Sequence, residues 1–113
     1  MDGATDEACY FGADFYEARE KFLAAAQRFG GVTEEFLHPL GGLDGGKLFT
    51  DVAWFGDPHA EKVLVVISGT HGVEGFCGSG AQVGWISGGA PDRLPSGIAA
   101  LFIHAINPYG FAW

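Results

Sequence analysis

The clearest periodicity in the chain lies near its beginning, where apolar residues recur at three- and four-residue spacing. The recurring positions are Phe15, Ala18, Phe22, Ala25, Ala26 and Phe29. This spacing places the side chains on one face of an amphipathic helix. Asp14 precedes the first of them and can cap the helix, and Gly30-Gly31 ends it. The pattern therefore predicts a helix over about residues 15–29.

The pattern then changes to two stretches rich in β-branched and aromatic residues, which are typical of strands. The first, residues 32–37, is stopped by Pro39 and by the glycine-rich segment 41–46. The second, residues 47–55, is followed by the turn Gly56-Asp57-Pro58. The two stretches predict a β-hairpin.

Two continuous apolar runs follow, at residues 63–67 and 98–103. A run without alternation is typical of a strand buried on both faces. Between them, residues 78–86 are rich in small side chains and predict a helix packed closely on a sheet. A strand-helix-strand crossover usually joins parallel strands with a right-handed connection. The order of elements therefore predicts an α/β fold, a mixed sheet with flanking helices built from a helix, a hairpin and a strand-helix-strand unit.

Composition and charge narrow the class of protein. The chain has 113 residues, of which 48% are hydrophobic, which suits a globular domain with a real core. No stretch approaches the length of a membrane span, and the acidic start lacks the basic region of a secretory signal, so we expect a cytoplasmic protein. The net charge of -8 and the scattered distribution of six Lys and Arg argue against nucleic acid as a partner. Two cysteines are too few for a disulfide framework, and we expect Cys77 to be buried and reduced.

The candidate chemistry follows the two predicted parallel strands. Ligands of open α/β sheets bind beyond the carboxyl ends of the strands, so residues 68–74 and 107–110 are expected to share a crevice. His71 and Glu74 form an H-x-x-E pair in the first of these segments. An imidazole and a carboxylate at this spacing can bind one zinc ion, although such a pair also occurs as a surface pair or a helix cap. The glycines at 69, 72 and 75 leave the backbone free to turn sharply.

Two motifs carry a resemblance to a known family. The segment S-G-T-H-G-V-E-G at 68–75 resembles the first zinc-binding loop of the zinc metallocarboxypeptidases and of the succinylglutamate desuccinylase and aspartoacylase group. The segment H-A-I-N-P-Y-G-F at 104–111 resembles the strand end and N-P-x-G-[FY] turn that follow that loop in the carboxypeptidases. Both segments are most similar to a bacterial domain-of-unknown-function branch of the carboxypeptidase-like superfamily. The resemblance covers about residues 14–113.

The resemblance implies that His71 and Glu74 bind Zn²⁺ and assigns no catalytic residue within the chain. In the family a third ligand, an Asn-Arg pair that binds a substrate carboxylate and a Glu that activates water lie further along. Residues 1–113 are therefore expected to be a single incomplete domain, the N-terminal portion of a zinc carboxypeptidase-like hydrolase, inactive alone. The resemblance further implies that the full-length relative cleaves an amide or peptide bond in a small peptide or N-acyl amino acid. We also expect an incomplete sheet to self-associate.

Other interpretations of the polar residues stay open at the level of sequence. A nucleophilic hydrolase using Ser79 or Cys77 is disfavoured because the segment lacks the G-x-S-x-G spacing. A catalytically inert binding or interaction module on the same fold is the alternative outside enzymes. His38 and His59 are expected at the surface of the hairpin region. His104 ends an apolar strand and is either a hydrogen-bonded core histidine or a partner of the metal ligands. Asn107 and Tyr109 either line the crevice or only form a turn.

Overall fold

The computed structural model describes residues 7–113, in which three α-helices and four strands follow one another along the chain. They are α1 (Phe15–Arg28), β1 (Val32–Leu37), β2 (Phe49–Phe55), β3 (Lys62–Ile67), α2 (Gly75–Ser87), β4 (Ile98–His104) and α3 (Pro108–Ala112). Two short 3-10 helices, Glu7–Tyr10 and Ala90–Arg93, complete the regular structure. No helix within residues 7–113 is long and apolar enough to cross a membrane.

The first helix forms as the sequence pattern predicts. The Asp14 carboxylate accepts a hydrogen bond from the backbone N–H of Glu17 at 2.8 Å and so satisfies one of the free donors of the first turn. The periodic apolar positions become the buried face of α1. Gly30 adopts φ of +79°, a left-handed conformation that favours glycine and reverses the chain into β1.

The four strands form one mixed sheet in the order β1-β2-β4-β3. The hairpin prediction is confirmed, because β1 pairs antiparallel with β2 from Val32 opposite Trp54 to Leu37 opposite Phe49. Strand β4 pairs antiparallel with β2 on one side and parallel with β3 on the other. The parallel pairing brings the carboxyl ends of β3 and β4 to the same edge of the sheet, as the crossover rule predicts.

The hydrophobic core lies on one face of this sheet, between the strands and the helices. Side chains of α1 and α2 pack there with alternate residues of β2 and β4. The buried cluster consists of Phe22, Ala25, Ala26, Ala53, Phe55, Val83, Ile86, Ala100 and Phe102. A second cluster, toward the carboxyl edge, joins α1 to α3 through Phe15, Ala18, Leu48, Ala105 and Phe111.

The prediction that the two apolar runs are buried on both faces is wrong for residues 7–113. Strand β3 is an edge strand, and its side chains Val63, Leu64, Val65 and Ile67 are 41–49% exposed. Strand β4 is fully buried at Ala99, Ala100, Phe102 and His104 but only half-buried at Ile98, Leu101 and Ile103. The physical reason is that α1 and α2 pack on the same face of the sheet, so that each strand is covered on one side.

A buried ion pair joins α1 to β2. Asp51 is fully buried, and its carboxylate accepts hydrogen bonds from Arg19 Nε at 2.7 Å and from Arg19 Nη2 at 3.1 Å. The Arg19 guanidinium also lies over the Phe49 ring and contacts Glu35 at 3.1 Å. Burial raises the pKa of Asp51 despite this pairing, because the loss of hydration outweighs the attraction of the guanidinium.

Several local predictions need correction. Helix α2 begins at Gly75, three residues before the predicted start. Gly75 is both the last residue of the zinc-loop-like segment 68–75 and the first residue of the helix. The predicted turn at 107–110 is the beginning of helix α3, with Asn107 as its N-cap. The predicted loop at 91–97 begins within a 3-10 helix. Cys77 is exposed rather than buried, because it lies on the side of α2 that does not face the sheet.

Candidate metal centre

The two segments that the sequence places beyond β3 and β4 lie against each other in the structure. The backbone N–H of Ile106 donates to the Ser68 carbonyl at 2.9 Å, and the N–H of Asn107 donates to the Gly69 carbonyl at the same distance. The predicted proximity of these segments is thereby confirmed. We refer to residues 68–74 as the first loop and to residues 105–110, which include the first turn of α3, as the second loop.

The side chain of Asn107 fastens the second loop to the first. Its Nδ2 donates to the His71 carbonyl at 3.1 Å and lies 3.4 Å from the Thr70 carbonyl. Its Oδ1 accepts from the N–H of Gly110 at 3.0 Å, which caps α3. One amide side chain thus links the start of α3 to the backbone of the proposed ligand His71.

Glycine is required at two places where the loops approach. Gly69 has φ of +68°, and a Cβ there would meet Ala105 and the Phe111 ring. A Cβ at Gly110 would meet the carbonyl oxygen of His71. The backbones can therefore come together only because these two positions lack side chains.

His71 and Glu74 face each other on the surface of the first loop. His71 Nδ1 and Glu74 Oε1 are 3.2 Å apart, and their side chains are 81% and 58% exposed. Glu74 also accepts a hydrogen bond from the N–H of Gly72 at 3.1 Å. Its own backbone N–H, that of Gly72 and the nearby imidazole all lower the pKa of Glu74. The carboxyl group is therefore held in its ionised form, which is the form that binds metal.

The donor atoms of this pair fit two positions of a zinc site. Imidazole nitrogen and carboxylate oxygen bind zinc at about 2.0–2.2 Å, so two ligands of one tetrahedral ion lie roughly 3.3 Å apart. The observed 3.2 Å between Nδ1 and Oε1 agrees with this separation. The same distance also suits a hydrogen-bonded surface pair. Within residues 7–113 there is no group of three or more His, Cys, Asp or Glu side chains that could hold a metal ion.

The other histidines lie in different surroundings. His59 is exposed in the turn after β2, as predicted. His38 is half-buried, accepts from the N–H of Leu40 at 3.1 Å and stacks on Tyr109 with ring centroids 6.3 Å apart. Tyr109 is thus occupied in holding the hairpin end against α3.

His104 belongs to the core. It is fully buried, its ring stacks on Phe22 with centroids 4.7 Å apart, and its Nε2 shares a 2.7 Å hydrogen bond with Ser79 Oγ. Burial lowers its pKa to about 4. This arrangement favours the core interpretation of His104. It also places Ser79 out of reach of a substrate, because the hydroxyl is fully buried against the imidazole.

The sequence pattern did not reveal the role of Gln82, a residue of α2 that hydrogen-bonds to the carboxyl ends of β3 and β4. Its Nε2 donates to the carbonyls of Val66 at 3.0 Å and Ile103 at 3.2 Å, and its Oε1 accepts from Ser68 Oγ at 2.9 Å. Gln82 therefore ties β3, β4 and the start of the first loop to α2. The feature that could have indicated this role is a long polar side chain among the small residues of the helix. The fastening role of Asn107 was also missed, although its place before proline is typical of a helix N-cap.

The sequence matches the family described as "Protein of unknown function (DUF2817)" over residues 11–113. No curated protein matches the chain significantly.

Solved structures of zinc-dependent exopeptidases and glutaminyl cyclases have a similar fold. A Zn-dependent exopeptidase from Parabacteroides distasonis is 17% identical, with a TM-score of 0.57 over 83% of this chain and 39% of that one. Porphyromonas gingivalis glutaminyl cyclase is 16% identical, with a TM-score of 0.59 over 81% and 37%. Tannerella forsythia glutaminyl cyclase is 13% identical, with a TM-score of 0.61 over 86% and 40%. At these identities the likeness shows the fold alone, and the chain spans about two fifths of the length of these structures.

Proposed function

The chain belongs to the DUF2817 family, and from this membership and its exopeptidase-like fold we propose that it contributes to a zinc-dependent hydrolase of amide or peptide bonds. The observation that carries the proposal is the His71 and Glu74 pair, with donor atoms 3.2 Å apart at the carboxyl edge of parallel strands. The complete reaction is proposed for a protein of the length of the matched structures, since this chain covers about two fifths of them.

In this proposal His71 and Glu74 are two of the zinc ligands. A bound zinc ion supplies Lewis-acid polarisation of a carbonyl and lowers the pKa of water. The hydrogen bond from Gly72 keeps Glu74 ionised, and Asn107 fixes the backbone that carries His71. Two protein ligands are fewer than the three of most catalytic zinc sites, so we propose weak metal binding and no hydrolysis by this chain alone.

The substrate class that we propose is a small peptide or an N-acyl amino acid. The structures with a similar fold include proteins described as zinc-dependent exopeptidases, which favours the peptide. The resemblance of the first loop to the succinylglutamate desuccinylase and aspartoacylase group favours the N-acyl amino acid. Both substrates present an amide carbonyl, which is the group that zinc polarises.

A catalytically inert interaction module is the second candidate. It is favoured by the lack of a third ligand-type side chain beside His71 and Glu74 within residues 7–113. The high exposure of both side chains is also compatible with an ordinary surface ion pair. The two candidates differ in whether zinc binds at this pair at all.

Titration of the chain with zinc, followed by calorimetry at neutral pH, tests the proposal. We expect weak binding at one site that a chelator reverses. In the His71→Ala variant, Glu74 is left as a single exposed carboxylate, and we expect the dissociation constant to rise by about 100-fold or more. The fold should be unaffected, since the His71 side chain is 81% exposed.

His59→Ala is the matched control, because it removes an exposed histidine from a turn outside the candidate site. It should leave zinc binding unchanged. Equal zinc binding by the wild-type chain and the His71→Ala variant would falsify the metal-site assignment and favour the interaction module.

A further inference from the structure

The two proposed ligands are attached to different elements of the fold. His71 lies in the first loop, which continues from the carboxyl end of β3, while Glu74 is the N-cap residue of α2. Gly72 and Val73 connect them. Because a helix and a strand move as rigid units, the distance between the two donor atoms depends on how α2 lies relative to the end of β3. A contact that fixes this arrangement also fixes the pair.

Gln82 is a side chain that joins α2 to the strand ends. It is 3% exposed and lies on the helix about two turns after Glu74. Its Nε2 donates to the Val66 carbonyl at 3.0 Å, near the end of β3, and to the Ile103 carbonyl at 3.2 Å, near the end of β4. Its Oε1 accepts from the Ser68 hydroxyl at 2.9 Å. One side chain of α2 therefore contacts both strand ends and the first residue of the first loop.

The partners of this amide determine its orientation. The amide nitrogen of Gln82 faces two backbone carbonyls, which can only accept, and the amide oxygen faces a hydroxyl that can donate. A buried partner that loses such a bond is left unsatisfied away from water, which disfavours other arrangements. The length of one glutamine side chain therefore determines how far α2 lies from the strand ends.

Ser68 transmits this restraint to the first loop. Its N–H donates to the Ile103 carbonyl at 3.0 Å, and its own carbonyl accepts from the N–H of Ile106 at 2.9 Å. Helix α2 approaches closely at this point because Gly78 faces Ser68, and a Cβ at Gly78 would lie 3.0 Å from the Ser68 side chain. The base of the first loop is thus bound to β4, to the second loop and, through Gln82, to α2.

The ligand side chains themselves have little packing to hold them. The side chains of His71 and Glu74 are 81% and 58% exposed, so the backbone that carries each one decides where its donor atom lies. We propose that Gln82 is a positioning residue of the candidate metal centre, and that it maintains the 3.2 Å separation of His71 Nδ1 and Glu74 Oε1. The consequence for zinc rests on the proposed function, whereas the separation is a property of the metal-free chain.

Zinc affinity distinguishes positioning from ordinary packing. Gln82→Met nearly keeps the length of the side chain but removes its hydrogen bonds. We expect the dissociation constant for zinc to rise by about 10-fold, the lower end of the effect for residues that orient metal ligands. Val83→Ala is the matched control, because Val83 is the next residue of α2, is 4% exposed and packs in the core. It should destabilise the fold by leaving a cavity, and leave the dissociation constant unchanged.

A second measurement needs no metal. Backbone order parameters from ¹⁵N relaxation, measured with chelator present, report the motion of the first loop, and a rigid backbone gives values of about 0.85. We expect Gln82→Met to lower the order parameters of residues 70–72, because the base of the loop loses its link to α2. Val83→Ala should leave them as in the wild type.

Circular dichroism and thermal unfolding verify that each variant folds. If Gln82→Met does not fold, Ser68→Ala replaces it, since it removes only the hydrogen bond between the first loop and Gln82 and should change both measurements in the same direction. Wild-type order parameters in Gln82→Met overturn the proposal, as does an equal loss of zinc affinity in Gln82→Met and Val83→Ala. A wild-type chain that binds no zinc overturns the proposed function instead, and the order parameters then still decide the role of Gln82.

Discussion

At the scale of single residues, the core contains a buried histidine whose effect on the free energy of unfolding depends on its protonation state. His104 is fully buried between aromatic rings, with Ser79 as the hydrogen-bond partner of its Nε2. Its Nδ1 is buried without a partner among the described residues. Such a site accepts a neutral imidazole and disfavours the cation, which explains the lowered pKa of about 4. His104 therefore links the stability of the fold to pH.

We predict that stability falls as the pH is lowered from about 6.5 to about 4. Over this range the unfolded chain binds a proton at His104 and the folded chain does not, so the free energy of unfolding decreases, by about 3 kcal/mol in full. Below about pH 4 both states are protonated and this contribution changes no further. Urea unfolding at fixed protein concentration, at pH 7 and pH 4.5, measures the loss.

His104→Gln should reduce this pH dependence, and His59→Gln, which changes an exposed histidine, should retain it. The buried Asp51, whose raised pKa acts in the opposite direction, is common to all three proteins and cancels in the comparison. A His104→Gln variant with the same pH dependence as the wild type would show that another group is responsible.

At the scale of elements, the candidate site depends on how α3 begins. Asn107 caps this helix through Gly110 and, with the other end of its amide, holds the carbonyl of His71. A helix of five residues has little stability of its own, so its position comes from the cap and from Phe111 in the core. The geometry of the first loop and the start of α3 are therefore coupled.

We predict that Asn107→Ala destabilises the fold by about 1–2 kcal/mol, since it removes a helix cap and the donor to His71. Asn107→Asp retains an acceptor for the Gly110 N–H but lacks the donors, and should therefore keep more of the stability. Both variants should speed hydrogen exchange of the Gly72 amide, because both release the first loop. Unchanged exchange at Gly72 in both would mean that Asn107 acts only as a cap.

At the scale of the whole molecule, the sheet is covered by helices on one face and leaves the other apolar. The helix side supplies a continuous core, while the opposite face carries the alternate residues of β3 and β4, such as Val65 and Leu101. In parallel strands both faces are normally covered. Stability of the folded chain should for this reason depend on association.

We predict that the midpoint of thermal unfolding rises with protein concentration, because self-association through this apolar face stabilises the folded state by mass action. Differential scanning calorimetry over a series of concentrations measures the shift. The Val65→Lys variant, which places a charge on this face, provides the control, since its midpoint should depend less on concentration. A wild-type midpoint that does not change across the series contradicts this prediction.

The sequence alone determined most of the elements and their pairing, because these depend on local patterns. Residues 15–29 carried the helical period and the Asp14 cap, residues 32–37 became β1 without change, and the crossover rule placed β3 parallel to β4. The H-x-x-E motif and its position at the carboxyl edge of the sheet could likewise be predicted from the sequence. Whether His71 and Glu74 bind zinc stays a prediction.

Only the tertiary structure decided which side of each strand is covered and what each polar residue contacts. The apolar runs at 63–67 and 98–103 are compatible with strands covered on one face or on both. A run of apolar residues shows which side chains a strand can bury, but not which elements pack against it. The contacts of Asn107 with His71 and of Gln82 with Val66 and Ile103 span 16 or more residues. Such contacts depend on how the helices pack on the sheet, which no local pattern specifies.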